Sequence, residues 1–159
     1  MAVTNFLKLD GIDGESTDRS HRNEIDLLSW SWGVTNEPPA SGGGGGSGVG
    51  RATPQALLFV HRYDKASPLL ARLAANGRHI RTAVLSARRS GAGQRDFLVV
   101  TLKELNVTAV QMADNGDGPV EQVALRFAEI GFSYTPQTPR GTAGTPVAMN
   151  WNVRTSQVT

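Results

Sequence analysis

No cysteine occurs anywhere in the 159 residues. That absence excludes disulfides, thiolate-bound metals, iron–sulfur clusters and cysteine nucleophiles together. Aromatic residues are sparse at 6%, charged residues reach only 19%, and lysine is nearly missing, with 3 Lys beside 13 Arg. Net charge is +2, and the basic residues are scattered apart from Arg88-Arg89. The basic patch with interleaved aromatics that a nucleic-acid surface needs is therefore not there. No run approaches the roughly 20 apolar residues that span a bilayer. The opening Met1-Ala2-Val3-Thr4-Asn5 has no basic stretch leading into an apolar one, so no signal peptide is expected.

Glycine is plentiful. The chain holds 18 Gly and 8 Pro, a content that suits a turn-rich β protein better than a helical bundle. Seven of the glycines (Gly42, Gly43, Gly44, Gly45, Gly46, Gly48 and Gly50) crowd one segment. A chain of this length forms one domain, residues 1–159, and a compact fold of this size buries about 68–70% of its unfolded surface. The Arg-over-Lys bias fits protein interfaces, where Arg is enriched and Lys depleted, or simply a codon preference for Arg.

The dominant hydrophobic period is two. In Glu24–Val34, Asp26, Leu28, Trp30, Trp32 and Val34 share one parity; Ile25, Leu27, Ser29, Ser31 and Gly33 share the other. One continuous strand would put the tryptophans inward and the serines outward. Further strands are expected at Val3–Leu9, Gln55–Tyr63, His79–Arg89, Asp96–Val110, Val120–Tyr134 and Pro146–Thr155. The apolar parity of Val120–Tyr134 shifts from Val123, Leu125 and Phe127 to Ile130, Phe132 and Tyr134, which predicts a β-bulge near Ala128–Glu129. One short helix is expected, with Ser67 as N-cap, Pro68 first and Gly77 as the stop, its apolar stripe being Leu69, Leu70, Leu73 and Ala74. The expected fold is mainly β: a single-domain antiparallel barrel or sandwich with one flanking α-helix. Loops are expected at Gly11–Asn23, Thr35–Thr53, Gln111–Pro119 and Pro136–Thr145.

Catalytic constellations are missing. A phosphate-binding loop needs Gly-Lys-Ser/Thr opening a helix, whereas Gly50 is followed by Arg51-Ala52-Thr53-Pro54 and a strand. His21, His61 and His79 lack metal-ligand spacing, and no Gly-x-Ser-x-Gly elbow supports a serine nucleophile. Asp10, Asp13, Glu15 and Asp18 cluster without the spacing of an EF-hand, and read as a solvated loop or one that pairs with Arg of a neighbouring chain. No enzyme, cofactor or metal is expected. Asn106-Val107-Thr108 is a glycosylation sequon lying within an expected strand.

Several segments together carry a resemblance. They are Asn5-Phe6-Leu7-Lys8-Leu9-Asp10-Gly11-Ile12 with Gly14-Glu15-Ser16, Glu24-Ile25-Asp26-Leu27-Leu28-Ser29-Trp30-Ser31-Trp32-Gly33 and Tyr63-Asp64-Lys65-Ala66-Ser67-Pro68. Leu85-Ser86-Ala87-Arg88-Arg89-Ser90-Gly91, Phe97-Leu98-Val99-Val100-Thr101-Leu102-Lys103-Glu104 and Trp151-Asn152-Val153-Arg154 complete the set. The chain resembles, over nearly its whole length, the Hcp (haemolysin-coregulated protein) family of bacterial type VI secretion systems. The resemblance implies a β-barrel subunit that closes into hexameric rings and stacks into an inner tube. It also implies a VgrG spike and a contractile sheath as partners, small effectors in the lumen, and secretion from the cytoplasm without a cleaved signal.

In that frame Leu27, Ser29 and Ser31 are the expected lumen-facing or effector-facing residues, and the glycines at 42–46, 48 and 50 belong to an inter-ring loop. An ordinary solvent-facing strand is the alternative for the serine face. A monomeric β-barrel that binds a small ligand is the alternative function.

Overall fold

The computed structural model describes residues 2–38, 51–91 and 93–159. In chain order the elements are β1 (Val3–Leu9), β2 (Ile25–Leu27), β3 (Ser29–Ser31), β4 (Val34–Glu37), β5 (Arg51–Pro54), β6 (Leu57–Arg62), α1 (Ser67–Asn76), β7 (His79–Arg89), β8 (Asp96–Asp114), β9 (Pro119–Tyr134), β10 (Val147–Asn152) and β11 (Gln157–Val158). All the strand pairings are antiparallel.

The main sheet runs β11-β10-β9-β8-β7-β1-β2, and β9 forks: its first half pairs with β6, its second with β10. β6 then carries β3 on its other edge. Because β2 and β3 are consecutive in the chain, the sheet curls until its β2 and β6 edges meet at Leu28, whose N–H donates to the Val60 carbonyl at 2.8 Å. No ladder pairs β2 with β6 there; the covalent chain itself bridges the seam. The concave side is filled by Leu7, Ile25, Leu57, Phe59, Leu85, Leu102, Leu105, Leu125 and Ile130, each at most 1% exposed. The short helix covers part of β8 and inserts Leu70 into the same cluster.

Glu24–Val34 is not one strand. Leu28 and Ser29 are both exposed, so inward parity passes from Ile25 and Leu27 to Trp30 and Trp32, which pack half-buried on the core. The break lies where the chain leaves β1 and joins β6. One strand cannot keep its facing while it changes partner at a corner.

The parity inversion in β9 occurs where the pattern placed it, but an extra residue in β9 is not its cause. The β8–β9 register runs unbroken past it, with Lys103 opposite Glu129 and Leu105 opposite Phe127. Three strands bend together instead: Ile80 and Ala83, and likewise Leu102 and Leu105, are buried at a three-residue spacing. Glu104 sits at the pivot with φ +49°. Strands that bend jointly keep their register, so no bulge is needed. The register shift falls at Thr108 on β8, between Val107 opposite Leu125 and Ala109 opposite Ala124.

The helix begins one residue earlier than expected, at Ser67 itself, so that Ala66 takes the cap position. The Ser67 Oγ accepts the Asp64 N–H at 3.1 Å, while Asp64 Oδ1 accepts the Ala66 N–H at 2.9 Å. Gly77 ends it in the left-handed region (φ +70°), donating to Leu73 O. Two expected loops are partly strand: β8 continues through Gln111 to Asp114, and the ends of Thr35–Thr53 pair as the β4–β5 ribbon. Gln55–Tyr63 and Pro146–Thr155 shorten to β6 and β10, with a turn and β11 following the latter.

Candidate assembly surfaces

Among the described residues, no group of three or more His, Asp or Glu is arranged to hold a metal ion. The buried polar residues instead fasten the fold. His21 is stacked on Phe6 at 4.3 Å, with Nδ1 2.9 Å from Glu24 Oε2 and Nε2 3.0 Å from Asp96 Oδ1. Arg88 donates to both Asp18 oxygens at 3.0 Å and to Asp96 at 3.3 Å, and lies 5.6 Å over the same Phe6 ring. Burial works against the Asp18 charge, but the Ser20 and His21 N–H groups and the Arg88 guanidinium outweigh it. They hold its carboxyl below the usual range. This cluster ties the Gly11–Asn23 loop, which has almost no regular structure, to β7 and β8.

His61 is wholly buried on β6. Its Nε2 lies 2.8 Å from Glu121 Oε1 on β9, and its Nδ1 is 3.7 Å from Asp64 Oδ2, an ionic approach beyond hydrogen-bond length. Burial disfavours a charged imidazole here, yet the Asp64 and Glu121 carboxylates prevail and raise its pKa. The sequence offered no signal for this pair, because 60 residues separate its members.

The expected lumen-facing residues divide. Ser29 and Ser31 are exposed, whereas Leu27 is 8% exposed and belongs to the core cluster. The reversal of facing at Leu28 takes Leu27 off the serine face.

Strand register then supplies neighbours that alternation alone did not reveal. One row across β3, β6, β9 and β8 reads Ser31, Leu58, Ala124 and Ala109; the next reads Ser29, Val60, Gln122 and Gln111. Residues directly opposite one another share a face. The result is a wall of uncharged side chains turned away from the main core.

The seven glycines from Gly42 to Gly50 lie outside the described residues. Their described flanks form the β4–β5 ribbon, which pairs with no strand of the main sheet. Every residue of Val34–Glu37 is exposed, and a cleft of about 270 Å³ separates β5 from Trp151 and Val153.

Sequence and shape comparisons converge. A family model described as "Type VI secretion system effector, Hcp" matches residues 6–134. The chain belongs to the Hcp family. A curated relative, Protein hcp1 of Pseudomonas aeruginosa, is 39% identical over 158 residues, covering 97% of each chain. The solved Hcp1 structure from Salmonella typhimurium superposes with a TM-score of 0.80 at 31% identity, with both chains covered completely. Another structure, described only as a type six secretion system protein, reaches a TM-score of 0.92 at 28% identity over 99% of this chain and 100% of that one. The mainly β Hcp fold expected from the sequence is thus the fold observed.

Proposed function

We propose that this Hcp-family chain is the repeating subunit of a type VI secretion inner tube, a structural protein without turnover. Six copies close into a ring, rings stack, and the tube leaves the cytoplasm with its VgrG spike, driven by a contractile sheath. The observation that carries the reading is the match to an Hcp protein along 97% of both chains.

The geometry supports it. Among the described residues the interior of the curled sheet is packed with buried side chains, which suits a structural subunit. The outward wall built on Ser29, Ser31, Leu58, Val60, Gln111 and Gln122 is uncharged. Facing the lumen, such a wall admits small effector proteins of varied charge without strongly repelling or trapping them. The exposed β4–β5 ribbon is offered as the contact with an adjacent ring. A lone two-stranded ribbon is marginal in water, so contact with a neighbour adds order that the isolated subunit lacks.

The test is mass in solution with electron microscopy of the same sample. Closed rings of uniform diameter, several times 16.9 kDa, are expected. A stable monomer at every concentration would favour the ligand-binding alternative. For the wall, Ser31→Arg should leave rings intact and reduce effector co-purification; unchanged yield would remove Ser31 from the lumen.

A further inference from the structure

A cleft of about 480 Å³ opens where the β7–β8 turn meets the segment after β9, and its lining includes Arg89, Arg95 and Arg140. Arg89 is fixed in place: its guanidinium lies 4.4 Å over the Phe97 ring and donates to Gln137 Oε1 at 3.2 Å. Among the described residues none of the three pairs with a carboxylate. All 14 Asp and Glu side chains lie within the described residues, so no undescribed acidic side chain compensates them. Asp96 also lines the cleft, but it is engaged by His21 and Arg88. Concave shape, forked donors and uncompensated positive charge select a carboxylate ligand.

The same chain carries a complementary knob. Residues 111–117 at the far end of the β8–β9 hairpin are all exposed and close in the turn Asp114-Asn115-Gly116-Asp117. The turn is held by Asp114 Oδ1 accepting the Gly116 N–H at 2.8 Å and by Gly116 in the left-handed region (φ +105°). Neither Asp114 nor Asp117 forms an ion pair among the described residues. Cleft and knob occupy opposite ends of one hairpin, so they cannot meet within a subunit.

We propose that the arginine cleft receives the Asp114–Asp117 turn of a second copy of this chain, a head-to-tail contact that propagates assembly. The inference rests on the tube-subunit reading and gives it a specific electrostatic joint.

Charge reversal at each end tests it, using Arg95→Glu with Arg140→Glu, Asp114→Lys with Asp117→Lys, and all four together. Assembly is followed by sedimentation velocity and electron microscopy at about 50 mM and about 500 mM salt. Each double reversal should raise the assembly midpoint about tenfold or more at low salt, since like charges then oppose across the contact. The fourfold variant should return to near the wild-type midpoint, and high salt should narrow all the differences. Unaffected assembly in either double variant, or no recovery in the fourfold one, overturns the contact while leaving rings, and so the tube reading, standing. A wild type that stays monomeric overturns both.

Discussion

His61 and Glu121 are direct cross-strand partners in the β6–β9 ladder, with Nε2 and Oε1 2.8 Å apart and exposures of 0% and 2%. An ion pair so placed joins β6, the start of the helix through Asp64, and the first half of β9. It stands at the level where the curled sheet turns its corner.

Because the His61 pKa is raised in the folded state, its contribution is complete below the unfolded value of about 6.5 and is lost as pH rises through the folded value. Urea unfolding should therefore show stability falling as pH rises above about 6.5. His61→Leu should abolish that slope and cost about 3–5 kcal/mol, since it strands a buried carboxylate. A variant with the wild-type pH profile would assign the slope to other groups.

The reversal of facing at Leu28 predicts opposite outcomes for two neighbouring sites. Leu27→Ala, in the core, should cost about 2–5 kcal/mol. Ser31→Lys, on the exposed wall, should stay within about 0.5 kcal/mol. Chemical denaturation of the two variants decides it, and equal effects would mean that parity runs straight through Glu24–Val34.

Two glycines should respond to alanine for different reasons. A Cβ at Gly14 would lie 2.5 Å from the Glu24 carbonyl oxygen and 2.7 Å from Ile25 Cα, both of them backbone atoms that cannot swing aside. A Cβ at Gly77 meets open space and suffers only its left-handed φ of +70°. Gly77→Ala should cost about 1–2 kcal/mol, with Gly14→Ala costing more and loosening the Gly11–Asn23 loop. Thermal melts rank the pair, and hydrogen exchange of the Ser16 and Asn23 amides locates the loosening.

Arg88→Met should release Asp18. With the guanidinium gone, the Asp18 carboxyl loses one of the forces that depress its pKa and should titrate closer to an ordinary aspartate. A carboxyl-carbon NMR titration measures this directly. An unmoved Asp18 would leave the depression to the Ser20 and His21 backbone donors.

Local chemistry was legible wherever neighbours in sequence are neighbours in space. β1 and β7 carry the expected limits, and the helix is marked by Pro68 near its start and Gly77 at its end. The fold family was legible in its ordered segments. The His61–Glu121 pair, the cluster of Asp18, Arg88, Asp96 and His21, and the row neighbours of Ser29 and Ser31 were not. Each depends on strand register between residues far apart in the chain.

The sequence by itself determined a cysteine-free, mainly β protein, because composition and short-range periodicity limit which elements can form, and its ordered segments carried the resemblance to the Hcp family. Only the tertiary structure decided which face each strand turns inward. Leu27 is core and Ser31 is surface because the chain changes partners at Leu28, and β7, β8 and β9 invert parity together because they bend as one sheet. Facing is a property of paired strands, and no strand read alone contains it.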